Sequence, residues 1–285
     1  MDNQKTLFFV GAHPDDETFG IGGTLAHYAS LGVKVYYLCG TRGDVGVADP
    51  EFMKGYTEVG DMRWAELECA SRELGLAGIF HLGYRDSGMP GSEDNRHPQA
   101  LVNAPVEEVA GRVVKLMREL QPQVIITSDP IGGYRHPDHI AMHYAAVRAF
   151  ELAGDAAAYP EAGAPYKPQK LYFVIMPRKL LRFFLKLLPL FGQDPHHMGR
   201  NRDIDLADMA SVDFPVNAGV KLSKKDLEAR DRATSCYRSQ LKGAPRRSGI
   251  LGRIQRISGH SDLYMRQYPE VTSGRKEKDL FAGVE

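Results

Sequence analysis

The sequence predicts an α/β fold with a Rossmann-like, mostly parallel sheet covered by helices on both faces. Three observations support this prediction. Short apolar runs rich in β-forming residues alternate with longer segments of helical periodicity through the first 176 residues. Strands and helices in this alternation form right-handed crossover units, which produce parallel sheets. The chain has 285 residues, 43% of them hydrophobic and 25% charged, as is typical of a soluble globular domain.

The individual elements follow from these patterns in chain order. Apolar, β-rich runs predict strands over residues 7–11, 34–39, 78–82, 124–127 and 170–176. Apolar residues at helical spacing predict helices over residues 18–31, 56–74, 106–120 and 139–152. Segments 88–105 and 155–168 are rich in glycine, proline and polar residues, and we expect them to be long surface loops.

The pattern is weaker in the last third of the chain. It indicates a strand over residues 210–216 and a helix over residues 223–240, where Ser223 is a suitable N-cap and Asp226 lies in the first turn. We therefore predict a single domain over residues 1–285, with a core at 5–176 and a variable part at 177–285.

Composition argues against several classes of protein. Lysine and arginine number 36, as do aspartate and glutamate, so net charge gives no reason to expect a nucleic-acid partner. The three cysteines, Cys39, Cys69 and Cys236, contain no Cys-x-x-Cys pair. They suggest neither a disulfide framework nor a thiolate zinc site, and we expect a cytoplasmic protein.

One apolar segment, residues 171–192, needs separate consideration as a membrane candidate. Four basic residues interrupt it and Pro177 and Pro189 divide it, so we predict that it does not span a bilayer. Two alternatives remain for residues 177–191: a partly buried basic helix, or a surface segment that contacts lipid or a partner. The basic stretch 242–256 is either a solvated surface or a phosphate contact.

Two polar clusters follow predicted strands. "VGAHPDDETFG" begins at Val10, at the end of the first strand, and "SDPIGGYRHPDH" begins at Ser128, directly after strand 124–127. Ligands of open parallel sheets bind at the carboxyl ends of the strands, so both clusters can share one crevice.

The spacing within the clusters indicates a metal site. His13 and Asp16 are three residues apart, as are His136 and His139, and residues so spaced lie on one side of a helical turn. Two imidazoles and one carboxylate are a usual catalytic zinc set, and a remaining carboxylate can act as general base. Taken singly, each acidic residue could instead favour a helix start, and each histidine could be structural.

Two neighbours of these residues compete for the same roles. His143 lies four residues after His139 and could bind the metal on spacing alone, although we favour a packing or supporting role. We expect Glu17 to orient a metal ligand or the helix start rather than to bind the ion.

These residues resemble those of the LmbE-like, or PIG-L, family of zinc-dependent N-deacetylases, in particular the branch of mycothiol deacetylases and mycothiol-conjugate amidases. The resemblance spans roughly the first 175 residues and rests on four motifs in the right order. They are "AHPDDE" from Ala12, "GIGGTLAHY" from Gly20, "GYRDSGM" from Gly83 and "GGYRHPDH" from Gly132.

The resemblance implies a role for each matching residue. His13, Asp16 and His139 match the zinc ligands, although iron could replace zinc in the cell. Asp15 matches the general base that takes a proton from the metal-bound water.

The remaining matches concern the oxyanion and the substrate. His136 matches the residue that, as imidazolium, stabilises the oxyanion and protonates the leaving amine, and Tyr134 matches a tyrosine that helps bind the oxyanion. Arg63 and Asp86 match residues that contact sugar or inositol hydroxyls.

The resemblance implies a hydrolase that removes an N-acetyl, or more generally an N-acyl, group from a small amino-sugar conjugate such as an N-acetylglucosaminyl derivative. One alternative is an amidase that cleaves a larger thiol conjugate, and the pocket rim at residues 88–105 would decide between this activity and deacetylation. The other alternative is a metal- or sugar-binding module without catalysis. Family members often form homo-oligomers. Tyr237 departs from the family, which often has a histidine in this late helix, and puts the distal substrate pocket in doubt.

Overall fold

A computed structural model describes residues 4–175, 205–241, 261–272, 274 and 276–285, together with positions 182, 185, 188–191, 194 and 196. Its strands are β1 (Thr6–Gly11), β2 (Lys34–Thr41), β3 (Gly78–Tyr84), β4 (Val124–Ser128), β5 (Lys170–Val174), β6 (Ala218–Lys221) and β7 (Ser261–Tyr268). Its helices are α1 (Asp16–Phe19), α2 (Gly22–Ser30), α3 (Val59–Leu74), α4 (Val106–Leu120), α5 (Gly132–Arg135), α6 (Pro137–Leu152), α7 (Leu206–Met209), α8 (Lys224–Cys236) and α9 (Arg238–Leu241).

The strands described form one sheet in the order β3-β2-β1-β4-β5-β7-β6. Neighbours from β3 to β5 run parallel, whereas β7 is antiparallel to both β5 and β6. The predicted fold class, a mostly parallel α/β sheet, is therefore confirmed.

Two apolar layers hold the helices against the two faces of the sheet. On one face Leu7 and Phe9 belong to a core with residues of α2, α3 and α8. On the other, Phe8 and Val10 belong to a core with residues of α4 and α6. Every residue of β1 is buried, as expected for a central strand with helices on both sides.

The chain leaves β1 toward β2 on one side of the sheet and leaves β4 toward β5 on the other. β1 and β4 are paired in parallel, with Val10 opposite Thr127. The loops after these two strands therefore open at the point where the strand order reverses, which is the usual ligand position in such sheets.

The C-terminal part contains one confirmed element and one wrong prediction. Ser223 caps α8 in a capping box with Asp226, as the sequence indicates. Residues 210–216 do not form the predicted strand; α7 ends at Met209 and the next strand begins at Ala218.

The expectation for the cysteines was also wrong in part. Cys69 of α3 and Cys236 at the end of α8 form a disulfide, while Cys39 is free and buried. The two positions are 167 residues apart in sequence, so no spacing pattern could reveal the pair.

No helix among the described residues is long and apolar enough to cross a membrane. Most of segment 177–191 and the whole of 242–256 lie outside the described residues, so the alternatives for both segments stay predictions.

Candidate metal and catalytic site

The two polar clusters meet at the carboxyl ends of β1 and β4. His13, Asp16 and His139 each place one potential ligand atom within 4.8 Å of the other two. The ring centroids of His13 and His139 are 5.2 Å apart. Residues separated by 126 positions in sequence thus face one point, as the motif spacing predicts.

The donor atoms fit a divalent ion. Asp16 Oδ2 accepts the backbone N–H groups of Ala12 at 2.8 Å and His13 at 3.0 Å, while Asp16 Oδ1 lies 3.4 Å from His139 Nε2. That buried nitrogen of His139 has no hydrogen-bond partner among the described residues. A buried imidazole nitrogen without a partner, facing a carboxylate oxygen, suits a metal ligand.

Burial and neighbouring charge set the ionisation of these groups. Burial lowers the pKa of His139 and thus favours the neutral imidazole that a metal binds. Burial alone would raise the pKa of Asp16, but His139 and His13 outweigh it and the pKa is lowered. For His13, burial is outweighed by the carboxylates of Asp86 and Asp138, which hold its pKa well above the usual value.

Asp15 lies beside the ligand set in an unusual backbone conformation, with a φ of 112°. Its Oδ2 accepts a hydrogen bond from Arg63 Nη2 at 2.8 Å. Burial raises the pKa of Asp15 to about 6, although Arg63 acts to lower it. A carboxylate with a pKa near neutrality that is held apart from the ligands suits a general base.

His136 and Tyr134 lie next to the histidines of the same cluster. The ring centroid of His136 is 4.5 Å from that of His13, and the Tyr134 ring is 5.7 Å from His136 and 5.3 Å from His139. His136 Nδ1 accepts the backbone N–H of Asp138 at 3.2 Å.

Burial, reinforced by His13 and His139, lowers the pKa of His136 to about 2. Because Nδ1 accepts the N–H of Asp138, the proton of the neutral ring lies on Nε2. The role that the resemblance implies for His136, as an imidazolium at the oxyanion, stays a prediction.

Arg63 and Asp86, the predicted substrate contacts, lie within the cluster and are nearly inaccessible. Arg63 is 6% exposed and donates to Pro14 O at 2.6 Å as well as to Asp15. Asp86 is 4% exposed, and its Oδ1 lies 3.7 Å from His13 Nε2. Their contacts to substrate stay a prediction, whereas their contacts to Asp15 and His13 are direct.

Sequence reasoning missed Asp138. This fully buried carboxylate lies 3.0 Å from His13 Nε2 and accepts hydrogen bonds from the backbone and hydroxyl of Ser87. With His13, Asp86 and His136 it forms a second group whose potential ligand atoms lie within 4.8 Å of one another. The sequence did indicate Asp138 through its place in "HPDH". A carboxylate in such a motif suits this position, because metal-bound histidines commonly donate their second nitrogen to a carboxylate.

His143 and Glu17 take supporting positions. His143 Nδ1 lies 2.8 Å from Ser128 O, and its ring packs on Phe173. Glu17 is fully buried and accepts the backbone N–H of Asp15 at 3.0 Å. Neither residue belongs to the metal-binding groups found among the described residues.

The rim segment 88–105 borders a cavity of about 820 Å³ at the ends of β2 and β3. Its lining includes Asp44, Arg85 and His97. Asp44 Oδ2 accepts the backbone N–H of Asp86 at 3.4 Å, which connects this cavity to the cluster.

The fold and the site together define an α/β protein with a buried His–Asp cluster that could hold a metal ion at the strand ends. The family model described as "PIG-L: GlcNAc-PI de-N-acetylase" matches residues 8–150, half of the chain. The chain belongs to this family.

Relatives and solved structures agree with this assignment. A 1D-myo-inositol 2-acetamido-2-deoxy-alpha-D-glucopyranoside deacetylase of Geodermatophilus obscurus is 34% identical over 100% of this chain and 99% of its own length. The enzyme of the same name from Rhodococcus erythropolis is 34% identical over 98% of each chain. A conserved protein from Thermus thermophilus, known from its crystal structure, is 25% identical to this chain in sequence. The two structures match with a TM-score of 0.61 over 94% of this chain and 96% of that one.

Proposed function

We propose that this protein is a metal-dependent N-deacetylase that hydrolyses the acetamide of a small amino-sugar conjugate, such as an N-acetylglucosaminyl inositol. One observation carries the proposal: His13, Asp16 and His139 converge on one point while Asp15 lies beside them without joining the group. Binding a metal does not require such a separate carboxylate, but amide hydrolysis does. Full-length relatives named as deacetylases of this substrate class support it.

Two imidazoles and one carboxylate favour zinc, with ferrous iron as the alternative in the cell. When bound, such an ion polarises an amide carbonyl and lowers the pKa of water. His13, Asp16 and His139 would hold it.

The roles of the chain's own residues follow from their positions. Asp15, fixed by Arg63, takes a proton from the attacking water as the oxygen adds to the carbonyl carbon. His136, neutral with its proton on Nε2, and the Tyr134 hydroxyl donate hydrogen bonds to the oxyanion. The proton held by Asp15 then passes to the nitrogen as the C–N bond breaks, releasing acetate and the free amine.

The test combines metal analysis of the purified protein with release of free amine from N-acetylglucosaminyl inositol. The parent protein should contain about one metal ion per chain and release acetate. Asp15→Ala should keep the metal and lose at least about 100-fold in kcat, because only the base is removed.

His139→Ala is the matched variant, because it should lose the metal as well as the activity. A parent protein without metal or without amine release would contradict the proposal. An Asp15→Ala variant with the activity of the parent would show that the base is another residue.

We propose a cytoplasmic location, as expected from the cysteine pattern of the sequence. Disulfides are rare in that compartment. The Cys69–Cys236 disulfide of the structure therefore argues against this location, and thiol trapping in rapidly quenched cell extracts tests it: free thiols at both positions would support the cytoplasm, and a disulfide there would contradict it.

A further inference from the structure

Tyr237, which directly follows α8, is connected to the proposed base by one intermediary. The tyrosine is fully buried, and its hydroxyl donates to Glu17 Oε1 at 2.6 Å. Glu17 Oε2 accepts the backbone N–H of Asp15 at 3.0 Å. The C-terminal part of the chain thus reaches the catalytic loop through two hydrogen bonds on one carboxylate.

Asp15 needs such support because its backbone is strained. A φ of 112° is outside the regions that residues with a side chain readily adopt, and such conformations persist only where their surroundings fix them. Glu17 holds the N–H of Asp15, the first turn of α1 donates to its carbonyl oxygen, and Arg63 holds its carboxylate.

Tyr237 is itself anchored to α3 on both sides in sequence. Cys236, the residue before it, forms the disulfide with Cys69, and Ser239 donates its backbone N–H and hydroxyl to Glu66 at 2.8 and 2.7 Å. α3 also carries Arg63. This helix therefore supports Asp15 twice, directly through Arg63 and indirectly through Tyr237 and Glu17.

The burial of Tyr237 changes the interpretation of this residue. Because the side chain is fully inaccessible and its hydroxyl is bonded to Glu17, it does not line a distal substrate pocket. Because its hydroxyl contacts Glu17, the property that Tyr237 can affect is the orientation of the catalytic loop.

We propose that Tyr237 is a positioning residue, whose hydroxyl fixes the Glu17 carboxylate so that Asp15 keeps the backbone conformation that places its carboxylate for proton transfer. This inference rests on the proposed function. Loss of the hydroxyl leaves a buried carboxylate oxygen with fewer donors, so Glu17 and the N–H it holds can shift. A misplacement of about 1 Å at a catalytic group can cost about 100-fold in rate.

Tyr237→Phe, which removes only the hydroxyl, is the first variant to measure. We expect kcat to fall between about 10- and 100-fold with KM within about twofold and metal content unchanged. A crystal structure of the variant should show the Asp15 carboxylate displaced from Arg63, beyond the 2.8 Å of the parent.

Tyr172→Phe is the matched control. Tyr172 is also fully buried, and its hydroxyl donates to a glutamate, Glu277, at the same 2.6 Å, but it lies on β5 and contacts the C-terminal segment. This variant should lose stability while keeping the kcat of the parent.

A double variant separates positioning from general destabilisation. If Tyr237 acts through Asp15, adding Tyr237→Phe to Asp15→Ala should cause no further loss of kcat. A further loss equal to that in the parent, a similar loss in Tyr172→Phe, or an unchanged kcat in Tyr237→Phe would overturn the inference. Should the parent release no acetate, the proposed function fails, and the position of Asp15 in the Tyr237→Phe crystal still decides the structural claim.

Discussion

At the scale of single residues, Glu17 is a buried carboxyl group whose ionisation differs from that of an exposed glutamate. It is fully buried, and among the described residues its hydrogen-bond donors are neutral: the hydroxyls of Thr18 and Tyr237 and the N–H of Asp15. Burial raises the pKa of Glu17 to about 7 from an ordinary value of 4.5, although the two hydroxyls act to lower it. Between pH 4.5 and about 7, Glu17 therefore keeps a proton in the folded protein that the same side chain has released in the unfolded chain.

This difference predicts a pH-dependent contribution to stability. A carboxyl with a raised pKa in the folded state stabilises the fold fully below pH 4.5 and loses that contribution as pH rises to about 7. Between those limits the metal-free parent should lose on the order of 3 kcal/mol more unfolding free energy than metal-free Glu17→Gln, which has no such titration. Urea denaturation at a series of pH values measures the two slopes.

The two proteins are compared by the slope of unfolding free energy against pH rather than by its value. Glu17→Gln also changes hydrogen bonds, but the effect of that change on the unfolding free energy does not vary with pH. Parallel curves for the two proteins would contradict the assigned pKa.

At the scale of elements, Arg118 of α4 connects a helix to the long loop after α6. The side chain is 4% exposed and donates to backbone carbonyl oxygens, including those of Ala153 at 3.0 Å, Tyr159 at 2.7 Å and Asp155 at 2.8 Å. One guanidinium therefore satisfies several carbonyl groups of an irregular segment.

Arg118→Ala should lower the unfolding free energy by about 3 kcal/mol or more, because it leaves several buried carbonyl groups without donors. Metal content and kcat per folded molecule should be unchanged, since the loop is remote from the His–Asp cluster. Chemical denaturation and metal analysis check both expectations.

Arg148→Ala is the control at this scale. Arg148 on α6 is paired with Glu107, but its side chain is 41% exposed, and a pair so open to solvent contributes little to stability. Equal losses in the two variants would show that the carbonyl contacts of Arg118 are not what stabilises the loop.

Sequence patterns predicted most elements because their signals are local. The helix predicted over 106–120 matches α4 at both ends, and the strand predicted to begin at residue 34 does begin there. The single helix predicted over 18–31 is instead two, α1 and α2, since the chain leaves helical geometry at Ile21. Apolar periodicity does not reveal such a break, because it reports which residues are apolar and not the backbone conformation between them.

At the scale of the whole molecule, the convergence of His13 and His139 could be predicted because it depends only on the sheet. Two polar loops that follow neighbouring parallel strands must meet at one edge. The contact between Tyr237 and Glu17 depends instead on how α8 packs against α3, and no residue pattern specifies that packing. The Cys69–Cys236 disulfide also depends on how α8 packs against α3, so the sequence did not predict it.

That disulfide joins α3, within the family-matched part of the chain, to the C-terminal helices beyond it. A link between positions 167 residues apart excludes many conformations from the unfolded chain and so raises the free energy of unfolding. We expect the Cys69→Ser/Cys236→Ser double variant to lose between about 2 and 5 kcal/mol, and the reduced parent to lose a similar amount.

Counting reactive thiols tests whether the disulfide is present without any measurement of stability. In denaturant the parent should react at one cysteine, Cys39, before reduction and at three after it. Because Cys236 precedes Tyr237, reduction should also slow turnover in the parent while leaving the Tyr237→Phe variant, already without the hydroxyl contact, at its own lower rate. Three reactive thiols before reduction, or equal stability of the double variant and the parent, would show that noncovalent packing alone holds α8 on α3.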